Sequence, residues 1–149
     1  MGTGLFFEEF EIGANYQSQG RTIAESDVTA FAGLSGDFNP LHTDAEFARS
    51  TPFGERIVHG MLTVSISTGM SNWTGIFAGT AIALLEQNIK YKAHVKFGDT
   101  LHLEMEVIEK NETSKPERGI VKFAAQMVNQ HGETVVDMIW TLMMKRRNQ

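Results

Sequence analysis

An α+β fold in which an antiparallel sheet wraps one long central helix is the architecture this sequence predicts, on three observations. From Gly60 to about Trp73 there is neither proline nor a charged residue, and a helix without a charged face is a buried helix. The second half of the chain alternates apolar and polar residues in stretches divided by turn signals, the pattern of half-buried strands. The 149 residues are enough to bury a proper core without staples, so residues 1–149 are read as one domain.

The elements follow in order. Gly13-Ala14-Asn15 is a turn signal, and Tyr16 to Ile23 reads as a strand. Ser26 is placed to cap a helix whose apolar stripe is Val28, Phe31 and Ala32 and which ends near Gly33 to Gly36. Thr43-Asp44-Ala45-Glu46 reads as a capping box for a short helix carrying Phe47 and Ala48, and no helix continues past Pro52. A connecting loop reaches His59, where the long apolar helix begins. Its length and lack of strict alternation favour helix over buried strand.

Ile89, Tyr91, Ala93, Val95 and Phe97 alternate with Lys90, Lys92, His94 and Lys96, which predicts a strand from Ile89 to Phe97. Gly98-Asp99 turns the chain into a second strand around Leu101 to Val107. Ile120 to Asn129 makes a third, and Gln130-His131-Gly132-Glu133 is a hairpin turn. The last strand, Val135 to Met144, has large apolar residues on both faces, so it is covered on both sides or lies at a subunit contact.

Composition narrows the functions. The absence of cysteine removes disulfides, thiolate nucleophiles and thiolate metal sites, and fits a reducing compartment. A net charge of −5 argues against general nucleic-acid binding. Met1 to Gly4 lacks the character of a signal peptide, and no apolar run is long enough to span a membrane, which makes cytoplasmic location the expectation.

Chemistry concentrates in Gly36-Asp37-Phe38-Asn39-Pro40-Leu41-His42. Gly36 permits positive φ, and Pro40 keeps a helix from running through Asn39, so an irregular, stiff loop is expected. Such a loop holds Asp37 and His42 toward one point, the geometry in which two groups share a water as general base and general acid. Gly60, opening the buried helix, offers unpaired N–H groups and the positive end of a helix dipole to a developing anion. His59 is read as a loop tie acting through its ring nitrogens. A metal site built from Asp37, His42 and Asp44 is disfavoured, because Asp44 is better used at a helix N-terminus; no metal is expected.

Ala32-Gly33-Leu34-Ser35-Gly36-Asp37-Phe38-Asn39-Pro40-Leu41-His42, then Phe47-Ala48, then Ile57-Val58-His59-Gly60-Met61-Leu62, resemble the MaoC-like hydratase/dehydratase family, whose (R)-specific enoyl-CoA hydratases have a hot-dog fold. The resemblance implies reversible addition of water to a trans-2-enoyl thioester. It assigns the catalytic water to Asp37 and His42, the orientation of that pair to Asn39, and the oxyanion amide to Gly60.

The substrate is then an acyl thioester of coenzyme A or acyl carrier protein, with no separate cofactor and a homodimer or dimer-based oligomer as the assembly. Arg56, Lys90 and Lys92 become candidates for the phosphates of coenzyme A, and Trp73 and Phe77 for closing the acyl pocket. Two rivals are a hot-dog thioesterase and an acyl-binding partner subunit of a heteromeric dehydratase. The first wants a carboxylate on the central helix, and Gly60 to Trp73 has none; the second predicts a degraded motif, and Asp37, Asn39 and His42 are all present.

Overall fold

The computed structural model describes residues 3–147. Met1 and Gly2, on which part of the signal-peptide reading rests, lie outside them. The strands are β1 (Asn15–Gln17), β2 (Arg21–Thr22), β3 (Ala81–Tyr91), β4 (Thr100–Glu112), β5 (Arg118–Val128) and β6 (Thr134–Lys145). They form one antiparallel sheet in the order β1-β4-β5-β6-β3, with β2 also pairing with β4. The helices are α1 (Glu25–Ser35), α2 (Pro40–Thr43), α3 (Ala45–Arg49) and α4 (Gly60–Trp73).

Strand alternation sets the inner face of the sheet. Leu101, Leu103, Met105 and Val107 of β4, Val121, Phe123, Ala125 and Met127 of β5, and Met138, Trp140, Leu142 and Met144 of β6 are all buried. Leu62, Val64, Ile66 and Met70 of α4 belong to the same core, so the sheet closes around the helix. The β5–β6 hairpin turns as expected: Asn129 Oδ1 accepts from the His131 and Glu133 amides at 3.0 Å each, and Gly132 takes a φ of 75°. Glu8 and Glu9, in a short 3-10 turn, pair with Arg146 at 2.7 Å and Arg147 at 2.6 Å, fastening the two ends of the described chain together. Among the described residues no helix is long and apolar enough to cross a membrane.

Several expectations are corrected. The strand expected over Tyr16 to Ile23 is two short pieces, because the Ser18 hydroxyl accepts from the Leu103 amide at 2.9 Å where a ladder bond would otherwise run. Ser26 does not cap α1; the helix starts at Glu25, and the Asp27 carboxylate accepts from the Ala24 amide at 2.8 Å. The cap of α3 is Asp44 rather than Thr43, through Asp44 Oδ1 and the Phe47 amide at 3.0 Å.

The strand expected at Ile89–Phe97 lies earlier, at Ala81–Tyr91. Residues 92–97 keep the alternation in burial but leave the ladder: the Val58 amide donates to the Val95 carbonyl at 2.8 Å, and Ile57 and Lys96 form a lone bridge. Among the described residues the outer edge of β3 is unpaired, and Ile82, Leu84, Leu85 and Tyr91 are exposed along it.

Helix α4 is not buried all round, either. Met61, Ser65, Thr68 and Asn72 form an exposed, uncharged stripe at helical spacing. Its hydroxyls mostly bond back along the helix: Ser65 to Met61 O, Ser67 to Val64 O, Thr68 to Ser65 O and Ser71 to Thr68 O, at 2.5 to 2.9 Å. Thr63 is the exception, buried with no partner for Oγ1 among the described residues. A sealed, unpaired hydroxyl costs stability, so Thr63→Val, which keeps the shape, is expected to stabilise the fold by about 1 kcal/mol. That corresponds to a rise in Tm of about 3 °C, measurable by calorimetry.

Candidate active site

The acidic loop lies between α1 and α2, and each turn of it has a cause. α1 stops because Gly36 takes a φ of 79° and its amide closes back onto the Ala32 carbonyl at 2.9 Å. Asp37 Oδ1 then accepts from the Asn39 amide at 3.2 Å, and Asn39 Oδ1 from the Leu41 amide at 3.0 Å. The second contact caps α2, whose first residue is Pro40. The loop expected to be irregular is therefore partly a helical turn. Pro40 bars a helix from entering through Asn39 yet starts one of its own, which carries His42.

Two carbonyls fix two imidazoles. A carbonyl only accepts, so His42 donates Nδ1–H to the Ile57 carbonyl at 2.7 Å, and His59 donates Nε2–H to the Asp37 carbonyl at 2.9 Å. In the neutral ring, His42 therefore carries its free lone pair on Nε2, the acceptor a general base needs. The Ile57 amide returns a bond to the Leu41 carbonyl at 3.3 Å, clamping α2 to the segment that leads into α4. The two rings stack with centroids 3.9 Å apart and planes 28° from parallel.

One ligating-type atom from each of Asp37, His42 and His59 falls within a 4.8 Å cluster. His59, not Asp44, is the third member, since Asp44 is engaged at the α3 cap. Lone pairs of stacked imidazoles lie in nearly parallel planes, and each ring already spends one nitrogen on a carbonyl. That arrangement suits a shared water better than convergence on a metal ion.

Beside the cluster opens a cavity of about 610 Å³, lined by His42, Gly60, Met61, Thr63 and Tyr91 among others, with largely apolar walls. Nothing among the described residues accepts from the Gly60 amide, and the His59 side chain does not cap the helix. The α4 N-terminus thus presents free N–H groups at the cavity wall. A Cβ at Gly60 would sit 2.6 Å from Cε1 of Tyr91, so a larger residue there needs that exposed ring to shift. The space beside the Gly60 Cα is occupied by the Tyr91 ring.

The other sequence candidates separate. Lys92 lines the cavity, whereas Lys90 lies back in β3 opposite Asp137. Arg56 pairs with Glu25 at 2.8 Å, lies over the Phe97 ring at 4.9 Å, and borders a different hollow. Trp73 ends α4, about 20 Å along the helix from Gly60 at 1.5 Å per residue, and lines a groove against α1. Phe77 turns into the core, 5.4 Å from Phe123 and 6.4 Å from Phe10. Neither aromatic closes the cavity. Phe53, Tyr91 and His94 line it instead; Tyr91 and His94 stood in the alternating stretch with nothing to mark them apart from their neighbours.

The model of the MaoC like domain matches residues 8–129. A 3-hydroxybutyryl-CoA dehydratase of Methylorubrum extorquens is 34% identical over 70% of this chain and 65% of its own length. An (R)-specific enoyl-CoA hydratase of Rhodospirillum rubrum is 38% identical over 64% of this chain and 65% of its own. The chain thus matches just under two thirds of the length of either relative.

Among solved structures, an R-hydratase from Pseudomonas aeruginosa superposes with a TM-score of 0.81 at 35% identity, covering 97% of this chain and 88% of that one. A Mycobacterium tuberculosis protein with a double hotdog fold superposes at 0.86 over 98% of this chain and 46% of that one, at 19% identity. The second likeness concerns the fold alone, which is the hot-dog fold.

Proposed function

The chain belongs to the MaoC-like domain family, and on that premise we propose that it is an (R)-specific enoyl-CoA hydratase, adding water reversibly across the double bond of a trans-2-enoyl thioester. The observation that carries this reading is that the Asp37 carboxylate clusters within 4.8 Å of His42, whose Nε2 lone pair is free, while His42 and the open Gly60 amide line one cavity.

In the proposed reaction, the carboxylate and Nε2 hold one water. As its oxygen bonds to Cβ the pair takes up a proton, and the pair returns one to Cα, so it ends as it began. Between these events charge builds on the thioester oxygen, where the Gly60 amide and the α4 dipole meet it. The reaction needs no group beyond the substrate's own carrier. Coenzyme A is the carrier we propose, supported by Lys92 and His94 on the cavity wall, neither of them in an ion pair among the described residues.

A homodimer in the cytoplasm completes the proposal. The stripe on α4 exposes uncharged surface, the outer edge of β3 has no strand partner among the described residues and exposes Ile82, Leu84, Leu85 and Tyr91, and Asp37 is itself exposed in the single chain. A second copy seated there would exclude the water that weakens electrostatic stabilisation.

The test is hydration of crotonyl-CoA by the purified protein, followed as loss of the enone absorbance, with product configuration resolved after hydrolysis. An (R)-3-hydroxybutyryl product is expected. Free thiol without hydration would point instead to a thioesterase.

A further inference from the structure

His59 does no chemistry in this scheme, yet it holds the backbone of Asp37 and lies on the ring of His42. The ring is 2% exposed, donates Nε2–H to the Asp37 carbonyl at 2.9 Å, and stacks on His42 at 3.9 Å. Phe31 packs against it edge-on at 5.0 Å. Its Nδ1 is sealed from solvent with no partner among the described residues.

We propose that His59 is a positioning residue for the Asp37/His42 pair, acting as its Nε2–H tautomer; the catalytic part of this inference rests on the hydratase reading. Two contacts carry it. The bond to the Asp37 carbonyl fixes the backbone from which the carboxylate projects. The stack fixes the tilt of His42, because a single hydrogen bond from Nδ1 to Ile57 leaves that ring free to swing about the bond. The unpaired Nδ1 shows that packing alone is a poor reason for an imidazole here: a phenyl ring would fill the space without burying an unsatisfied lone pair. What imidazole adds is the N–H.

The experiment therefore pairs His59→Phe, which keeps a ring and removes the donor, with His59→Gln, which keeps a donor at similar reach and removes the ring. His59→Phe is expected to lower kcat for crotonyl-CoA about tenfold or more with KM within about twofold, because displacing reacting groups by a fraction of an ångström is enough. The folded fraction, from near-UV circular dichroism and thermal melting, is expected to stay at the wild-type level, and His59→Gln to lose less than His59→Phe. Nitrogen-15 spectra of histidine-labelled wild-type protein are expected to show residue 59 as the Nε2–H tautomer.

Wild-type turnover in His59→Phe, or a loss that merely follows its folded fraction, overturns the proposal. So does an Nδ1–H tautomer at residue 59. A wild-type protein that hydrates no enoyl thioester would instead sink the reading of the reaction, and the tautomer spectrum would still decide the placement of His59.

Discussion

Asp37→Asn and His42→Ala are each expected to lower the turnover of crotonyl-CoA at least ~100-fold, the scale of a general acid or base. The structure makes the first variant a clean one. The Asp37 carboxylate is exposed and has one hydrogen bond among the described residues, from the Asn39 amide at 3.2 Å to Oδ1, which an asparagine oxygen accepts equally well. What disappears is the charge that would hold and deprotonate a water. His42→Ala also empties the clamp on the Ile57 carbonyl, so it calls for a melting curve beside the rate. Near-normal turnover in either variant, with folding intact, would remove that residue from the mechanism.

Gly60→Ala is expected to be almost as damaging, by another route. It leaves the amide in place, but the added methyl would meet the Tyr91 ring at 2.6 Å, inside van der Waals contact. Tyr91 ends β3 and is 53% exposed, so its ring has somewhere to go. The displaced ring and the strained α4 terminus should together misplace the amide and cost on the order of 100-fold in kcat. A companion Tyr91→Ala change relieves the contact and should recover part of the loss. If Gly60→Ala alone turns over normally, the α4 terminus is not where the substrate carbonyl sits.

How much of this was legible in the sequence depended on how local each cause is. The loop from Gly36 to His42 could be read because its geometry is set within itself, by a positive-φ glycine, an aspartate and an asparagine bonding two residues ahead, and a proline at a helix start. The inner face of β4 could be read because it has one buried side and an alternating sequence, whereas β6, apolar on both faces in sequence, buries Met138, Trp140, Leu142 and Met144 and leaves Ile139 exposed. β3 could not be read. Register shifts near Ala83 and Glu86 interrupt its alternation, and its apolar residues lie exposed along an unpaired edge. Residues 92–97 show the converse, for alternation reports which side chains are covered and not whether the backbone is paired.

The substrate contacts were legible least, since they depend on where distant elements meet. Arg56 is claimed by Glu25, thirty-one residues away in sequence, and Phe77 by aromatic partners on the sheet and in the amino-terminal segment. Neither pairing leaves a local trace. The role of His59 was half visible. That a histidine could tie a loop is a matter of its two nitrogens, but which carbonyl it reaches and which ring it lies upon are properties of the folded chain.

On the proposed reaction, the crowding of Asp37 and His42 into one 4.8 Å cluster carries a stereochemical expectation. Groups that close together reach one face of a planar alkene, so in the proposed reaction hydroxyl and hydrogen are expected on the same face. Addition is then syn, and in deuterium oxide the label enters Cα on the side that the new carbon–oxygen bond occupies at Cβ. A trans alkene accordingly yields one diastereomer of the deuterated alcohol rather than a mixture.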